Sequence, residues 1–198
     1  MKHNENYPLL EDVDNLQDPH HSILLYEKRQ YAQIVKSRFV ENGLKKGEHA
    51  FCVTHDDVKY TENELAASGV DVDYFKRKKL LHVYQIENIM EHKDGVKKDC
   101  SELIATFTKN LKPPYRFVGR IIPDVSTREG IIAELEIEHE FHSQFYNYQL
   151  TSLCTYNVQD IEKNQRSIWL GKLCENHHNL IYAVEPESAV LFDADLIN

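Results

Sequence analysis

At 198 residues, with 41% hydrophobic, 28% charged and 10% aromatic side chains, the chain can bury one sizeable core without metal or disulfide staples. Its formal net charge of −9 works against broad binding to nucleic acid, which needs clustered Lys and Arg to displace counterions; the run Lys76–Lys79 reads as solvated surface. Four cysteines without a CxxC pair, an acidic start unlike a signal peptide and the lack of any apolar run near the roughly 20 residues of a membrane span predict a cytoplasmic protein with reduced thiols.

Residues 1–19 read as a flexible lead and 20–198 as one domain. "SILLYE" (22–27) is a short apolar strand, and Gln30–Asn42 follows as a helix with Tyr31, Ile34, Val35 and Phe39 on one face. Gly43 is placed to cap that helix. "HAFCVTH" (49–55) is a second strand, a near-continuous apolar run of the kind covered on both faces. Thr61 and Glu64 have capping-box spacing for a short helix closed by Gly69. "LLHVYQI" (80–86) is a third strand, and a helix follows from Ser101 to Leu111, broken by Pro113–Pro114.

"YRFVGRIIP" (115–123) is the fourth strand, Arg128–Tyr146 the longest helix, and "QLTSLCTY" (149–156) the fifth strand. A helix over 161–176 and the strand "LIYAVE" (180–185) complete the series. Six strands alternating with helices, without hairpin signals, predict an α/β fold: three layers, with a mostly parallel central sheet and helices on both faces.

In such sheets ligands bind beyond the strand carboxyl ends, and a nucleotide-hydrolysing member needs GxxxxGK[ST] after its first strand. This chain reads "LLYEKRQYAQIVKSRF" there, with no glycine and with Glu27 where phosphate would sit. ATP or GTP hydrolysis is not expected.

The ordered segments "HHSILLYEKRQYAQIVKSRFVENGLKKGEHAFCVTHDD", "ELAASGVDVDYFKRKKLLHVYQ", "FVGRIIPDVS", "LEIEHEFH", "LCTYN" and "LCENHHNLI" resemble the MEDS (methanogen/methylotroph, DcmR sensory) domain over about residues 20–185. The resemblance implies a degenerate RecA/KaiC-like fold that has lost its phosphate loop. It further implies a bacterial or archaeal signalling role, sensing a small organic ligand. That family is usually fused to a DNA-binding or kinase module. The short lead, and the few residues after the last strand, imply output through a separate protein partner, with a homo-oligomer also open and no membrane or direct nucleic-acid contact. No cofactor and no enzymatic activity are expected.

The helix 128–146 carries the sharpest local feature, a stripe of Ile131, Leu135, Glu138, His142 and Phe145. A carboxylate and an imidazole on an apolar face demand partners, because burying either alone is costly. The resemblance aligns Glu138 with a family glutamate sixteen residues before the cysteine of "LC", here Cys154, and matches His21 and His177 to family histidines. Cys154 and Tyr156 end the fifth strand, and Tyr26 ends the first. The candidate ligand-binding set is therefore His21, Tyr26, Glu138, His142, Cys154, Tyr156 and His177. By the same resemblance, Asp124 stands where the ATPase relatives place a metal-binding acid; without a phosphate loop it is expected to order its turn or cap the next helix.

Three readings of the stripe stay open: a structural Glu–His pair, a ligand pocket, and a metal site built from Glu136, Glu138, His139 and His142. The last corresponds to a metal-dependent enzyme as the alternative function, and a ligand-free oligomeric interaction module is another. "HEFHS" misses the HExxH of a zincin by one residue, and only one ExxH copy exists, where a di-iron bundle needs two.

Overall fold

A computed structural model describes residues 13–14, 16, 19–91, 96–185 and 188–194. In chain order the elements are β1 (His21–Tyr26), α1 (Arg29–Lys46), β2 (His49–Thr54), α2 (Val58–Ala67), α3 (Val72–Arg77) and β3 (Leu81–Gln85). They continue with α4 (Val96–Thr108), β4 (Tyr115–Gly119), α5 (Arg128–Gln144), β5 (Leu150–Asn157), α6 (Arg166–Glu175), β6 (Asn179–Glu185) and β7 (Ser188–Asp193). The strands form one sheet in the order β3-β2-β4-β5-β1-β6-β7, parallel except for β7, which pairs antiparallel with β6.

The sheet is covered on both faces. One face packs Ile23, Phe51, Phe117 and Cys154 beneath Cys100 and Ile104 of α4, Phe141 of α5 and Leu173 of α6. The other packs Leu24, Cys52, Val118 and Leu153 beneath Phe39 of α1, Leu65 of α2 and Phe75 of α3. Because successive strand residues face opposite sides, near-continuous apolar runs follow from double coverage. No helix among the described residues is long and apolar enough to cross a membrane.

The structure revises several sequence expectations. The stretch after β6, read as almost nothing, supplies β7 and its antiparallel pairing with β6. Most of the lead expected as flexible lies outside the described residues, but Val13 and Leu16 are buried with α1, and Arg38 bonds Asp14. The short helix expected from Thr61 begins earlier, its first turn capped by Asp57, which accepts the Tyr60 N–H at 3.1 Å. The helix expected after the third strand begins at Val96, not Ser101.

Gly43 does not end α1. The helix runs on to Lys46, and Gly47, at φ 84°, takes the left-handed capping position. A Cβ at Gly43 would lie 2.4 Å from Arg116 Nε and 2.9 Å from a Glu48 carboxylate oxygen. The glycine thus makes room for a buried ion pair. Arg116 donates to Glu48 through Nε at 2.7 Å and Nη2 at 3.1 Å, donates to the Phe39 carbonyl at 3.0 Å, and stacks over the Phe39 ring.

Gly171 has the opposite character. It lies inside α6, and a Cβ there would meet nothing within 4 Å. Gly171→Ala removes a helix-interior glycine at no steric cost. It is expected to stabilise the protein by about 0.5–1 kcal/mol, read from urea unfolding.

Candidate functional site

The site forms where β1 and β5 lie side by side under α5. Their register sets His21 opposite Ser152, Ile23 opposite Cys154 and Leu25 opposite Tyr156. Alternation then brings His21, Cys154 and Tyr156 to the face that α5 covers. His177 arrives from the turn between α6 and β6, where the His178 N–H donates to the His21 carbonyl at 2.7 Å. Thr127 caps α5 by accepting the Gly130 N–H at 3.0 Å, and the helix lowers Glu134, Glu138 and His142 toward the sheet.

Glu138 is the hub. Its Oε2 lies 3.0 Å from His21 Nε2, 3.5 Å from His177 Nε2 and 3.6 Å from Cys154 Sγ. His21 Nε2 is itself 3.3 Å from Cys154 Sγ. The other Glu138 oxygen bonds the Tyr156 hydroxyl, which also meets Glu134 Oε1 at 2.7 Å. Glu134 Oε2 accepts the Ile122 N–H at 2.9 Å. His21, Glu134, Glu138, Cys154, Tyr156 and His177 are all at most 4% exposed.

Burial decides the protonation pattern. It pushes the Glu134 carboxyl up to about 8, helped by the nearby Glu138, so Glu134 is a neutral acid at pH 7. The Tyr156 hydroxyl meets both carboxyl groups but carries one proton, and the upward shift of Glu134 favours a second proton within this buried trio. Burial likewise raises Cys154 and Tyr156 well above their ordinary ranges, lowers His21 well below its own, and takes His177 down to about 3. His177 is thus neutral. Its Nδ1–H donates to the Leu173 carbonyl at 2.6 Å, which leaves the Nε2 lone pair pointing at Glu138 with no hydrogen-bond partner.

The sequence candidates divide accordingly. His21, Glu138, Cys154, Tyr156 and His177 come together. His142 stands half-buried at the rim, its Nδ1 3.3 Å from His21 Nδ1. Tyr26 does not join them: five residues after His21, it falls on the opposite face and packs with the α1 side of the core. The proposed metal set of Glu136, Glu138, His139 and His142 is split by the helix. Glu136 and His139 are exposed and line an outer groove between α5 and α6, with His139 donating to Asn176 Oδ1 at 3.3 Å. Asp124 orders its turn by accepting the Ser126 N–H at 2.8 Å, while Thr127 caps the helix.

Glu134 was not among the candidates. It lies four residues before Glu138, one turn away on the same buried stripe, and that spacing could have revealed it. The location of the cluster also differs from expectation. Its histidines sit at the amino-terminal ends of β1 and β6, beneath α5, not at the carboxyl mouth of the sheet.

A small cavity of about 20 Å³ adjoins the cluster. Cys100, Ile104, Phe117, Ile121, Ile137 and Phe141 make it largely apolar, and Arg120, Glu138 and Cys154 supply its polar lining. At the other end of the sheet, β1 passes to α1 through Glu27 and Lys28 alone. Glu27 accepts the Tyr182 hydroxyl at 2.8 Å, and Arg29 is held by Asp56 at 2.6 Å and Glu64 at 3.0 Å.

The model of the methanogen/methylotroph, DcmR sensory domain matches residues 20–169, most of the chain and every strand and helix that builds the site except β6 and part of α6. The chain belongs to the MEDS family. Among solved structures, this MEDS protein is similar to a KaiC-like protein from the hyperthermophilic archaeon Pyrococcus horikoshii, with a TM-score of 0.58 at 14% identity over 83% of this chain and 71% of that one. This similarity fixes the fold as RecA/KaiC-like. No curated protein matches the sequence.

Proposed function

We propose that this MEDS protein is a sensory domain that binds a small organic ligand beneath α5 and signals through a separate partner, without hydrolysing ATP. The observation that carries this reading is the largely apolar cavity with Arg120, Glu138 and Cys154 in its lining, next to a buried network of imidazole, thiol, phenol and carboxyl groups. An apolar wall with a few convergent polar groups is the usual form of a small-molecule site. A cavity of about 20 Å³ holds little more than one water-sized group, so the ligand is very small or enters by moving α4 against α5. The sequence after β1 supports the absence of hydrolysis, since Glu27 and Lys28 offer no glycine-rich cradle for phosphate.

A ligand signals only by binding two conformers with different affinity, and α5 is the covering helix that, with β5 beneath it, lines both cavity and cluster. The test is a thermal-unfolding screen against small alcohols, amines, thiols and carboxylates, with magnesium–ATP alongside. A true ligand present at a hundred times its Kd stabilises by about 2.7 kcal/mol. Ile104→Phe, which fills the cavity, is expected to abolish that gain. A shift with magnesium–ATP and none with any organic compound would overturn the proposal.

A further inference from the structure

We propose that His21, Glu138, Cys154 and His177 form a binding site for a divalent transition metal of the zinc class. The four donor atoms, two imidazole nitrogens, a thiol sulfur and a carboxylate oxygen, all lie within 4.8 Å of one another. Four of the six separations are 3.0, 3.3, 3.5 and 3.6 Å. Zinc bonds of about 2.0–2.3 Å in a tetrahedron require edges of roughly 3.3–3.8 Å, so the donors already stand near ligating distance.

The outer contacts fit a metal as well. Ligating histidines characteristically donate their second ring N–H to a carbonyl, carboxylate or other fixed acceptor. His177 does so to the Leu173 carbonyl, which leaves Nε2 as a lone pair aimed into the cluster and without a hydrogen bond. Nδ1 of His21 faces Nδ1 of His142, so its Nε2 is free to ligate when the Nδ1–H is donated there. The second oxygen of Glu138 is fixed by Tyr156 and, through it, by Glu134.

Charge and softness select the metal. A dication, one thiolate, one carboxylate and two neutral imidazoles sum to zero, which suits a site buried from water. Binding releases the thiol proton of Cys154 to solvent. Sulfur and nitrogen donors disfavour magnesium and calcium, which take oxygen, and suit zinc or its cobalt(II) substitute. The inference does not depend on the sensory reading, because the cluster would take a metal whether or not the neighbouring cavity takes an organic molecule.

The test is titration of the metal-freed full chain with Co²⁺, followed by displacement with Zn²⁺. About one cobalt per chain is expected, with a thiolate-to-cobalt charge-transfer band that zinc abolishes. Cys154→Ser should remove the band, and Tyr156→Phe should keep it while weakening affinity by roughly 10–100-fold through the outer contact to Glu138. Failure to take up cobalt, or a band that survives Cys154→Ser, overturns the site. Should Cys154→Ser not fold, X-ray absorption of the zinc-loaded wild type decides: one sulfur among nitrogen and oxygen ligands supports the site, and a sulfur-free shell overturns it. The organic-ligand screen is read separately, so failure of one proposal leaves the other measurable.

Discussion

Glu48→Gln, which preserves side-chain shape, is expected to destabilise the protein by about 3–5 kcal/mol. The reason is the burial of Arg116, which is 2% exposed and keeps its charge in the core because Glu48 meets it with both oxygens. Glutamine fills the same space and keeps one acceptor oxygen, but it removes the counter-charge and sets an NH2 group against a guanidinium N–H, leaving the buried cation with one neutral amide oxygen and the Phe39 carbonyl and ring. For a domain of this size the melting temperature should fall by on the order of 10 °C. The double variant Arg116→Met, Glu48→Leu should recover most of the loss, because replacing both ions with apolar groups removes the unpaired charge. A loss below about 1 kcal/mol in urea unfolding would show that Arg116 finds water or another partner.

Gly119→Ala carries the second large effect. Gly119 ends β4 at φ 145°, a conformation that residues with a Cβ rarely adopt, and an added Cβ would lie 2.3 Å from the Val53 carbonyl oxygen on β2. Backbone cannot swing aside as a long side chain can. Strain of this kind costs about 1–3 kcal/mol, and overpacking adds a similar amount, so a total near 3–5 kcal/mol is expected. Gly119 also lines the cavity beside Glu138, so the variant should lose ligand-induced stabilisation together with stability. Gly171→Ala is the control, because it adds the same methyl group where nothing opposes it.

The fold was legible because double coverage writes itself into local sequence. Strands such as "HAFCVT" are apolar at every position from Ala50 to Val53, and helices interrupt them at regular intervals. What escaped was either short or distant. The Val72–Arg77 helix is too brief to show a period, although Val72 and Phe75 bury one side of it. Gly43 looked like a helix stop because the reason for it, Arg116, lies 73 residues further on.

In the site, His21, Glu138, Cys154, Tyr156 and His177 were nameable from sequence, but their meeting was not. It depends on which strands are neighbours, and the adjacency of β1 to both β5 and β6 is a property of the whole sheet. Tyr26 stands apart from this cluster. The two-residue alternation that puts His21 under α5 turns Tyr26 away, and counting along the strand was enough to see it.

The four thiols are divided between the two layers. Cys52 lies under α1, whereas Cys100, Cys154 and Cys174 lie on the α4–α6 side. Burial pushes Cys52 and Cys100 up to about 12, so alkylating reagents find almost no thiolate until the covering helix lifts. Modification rates at individual cysteines therefore act as a two-sided clock of local opening. Movement confined to the α5 side would advance three of its hands and leave Cys52 still.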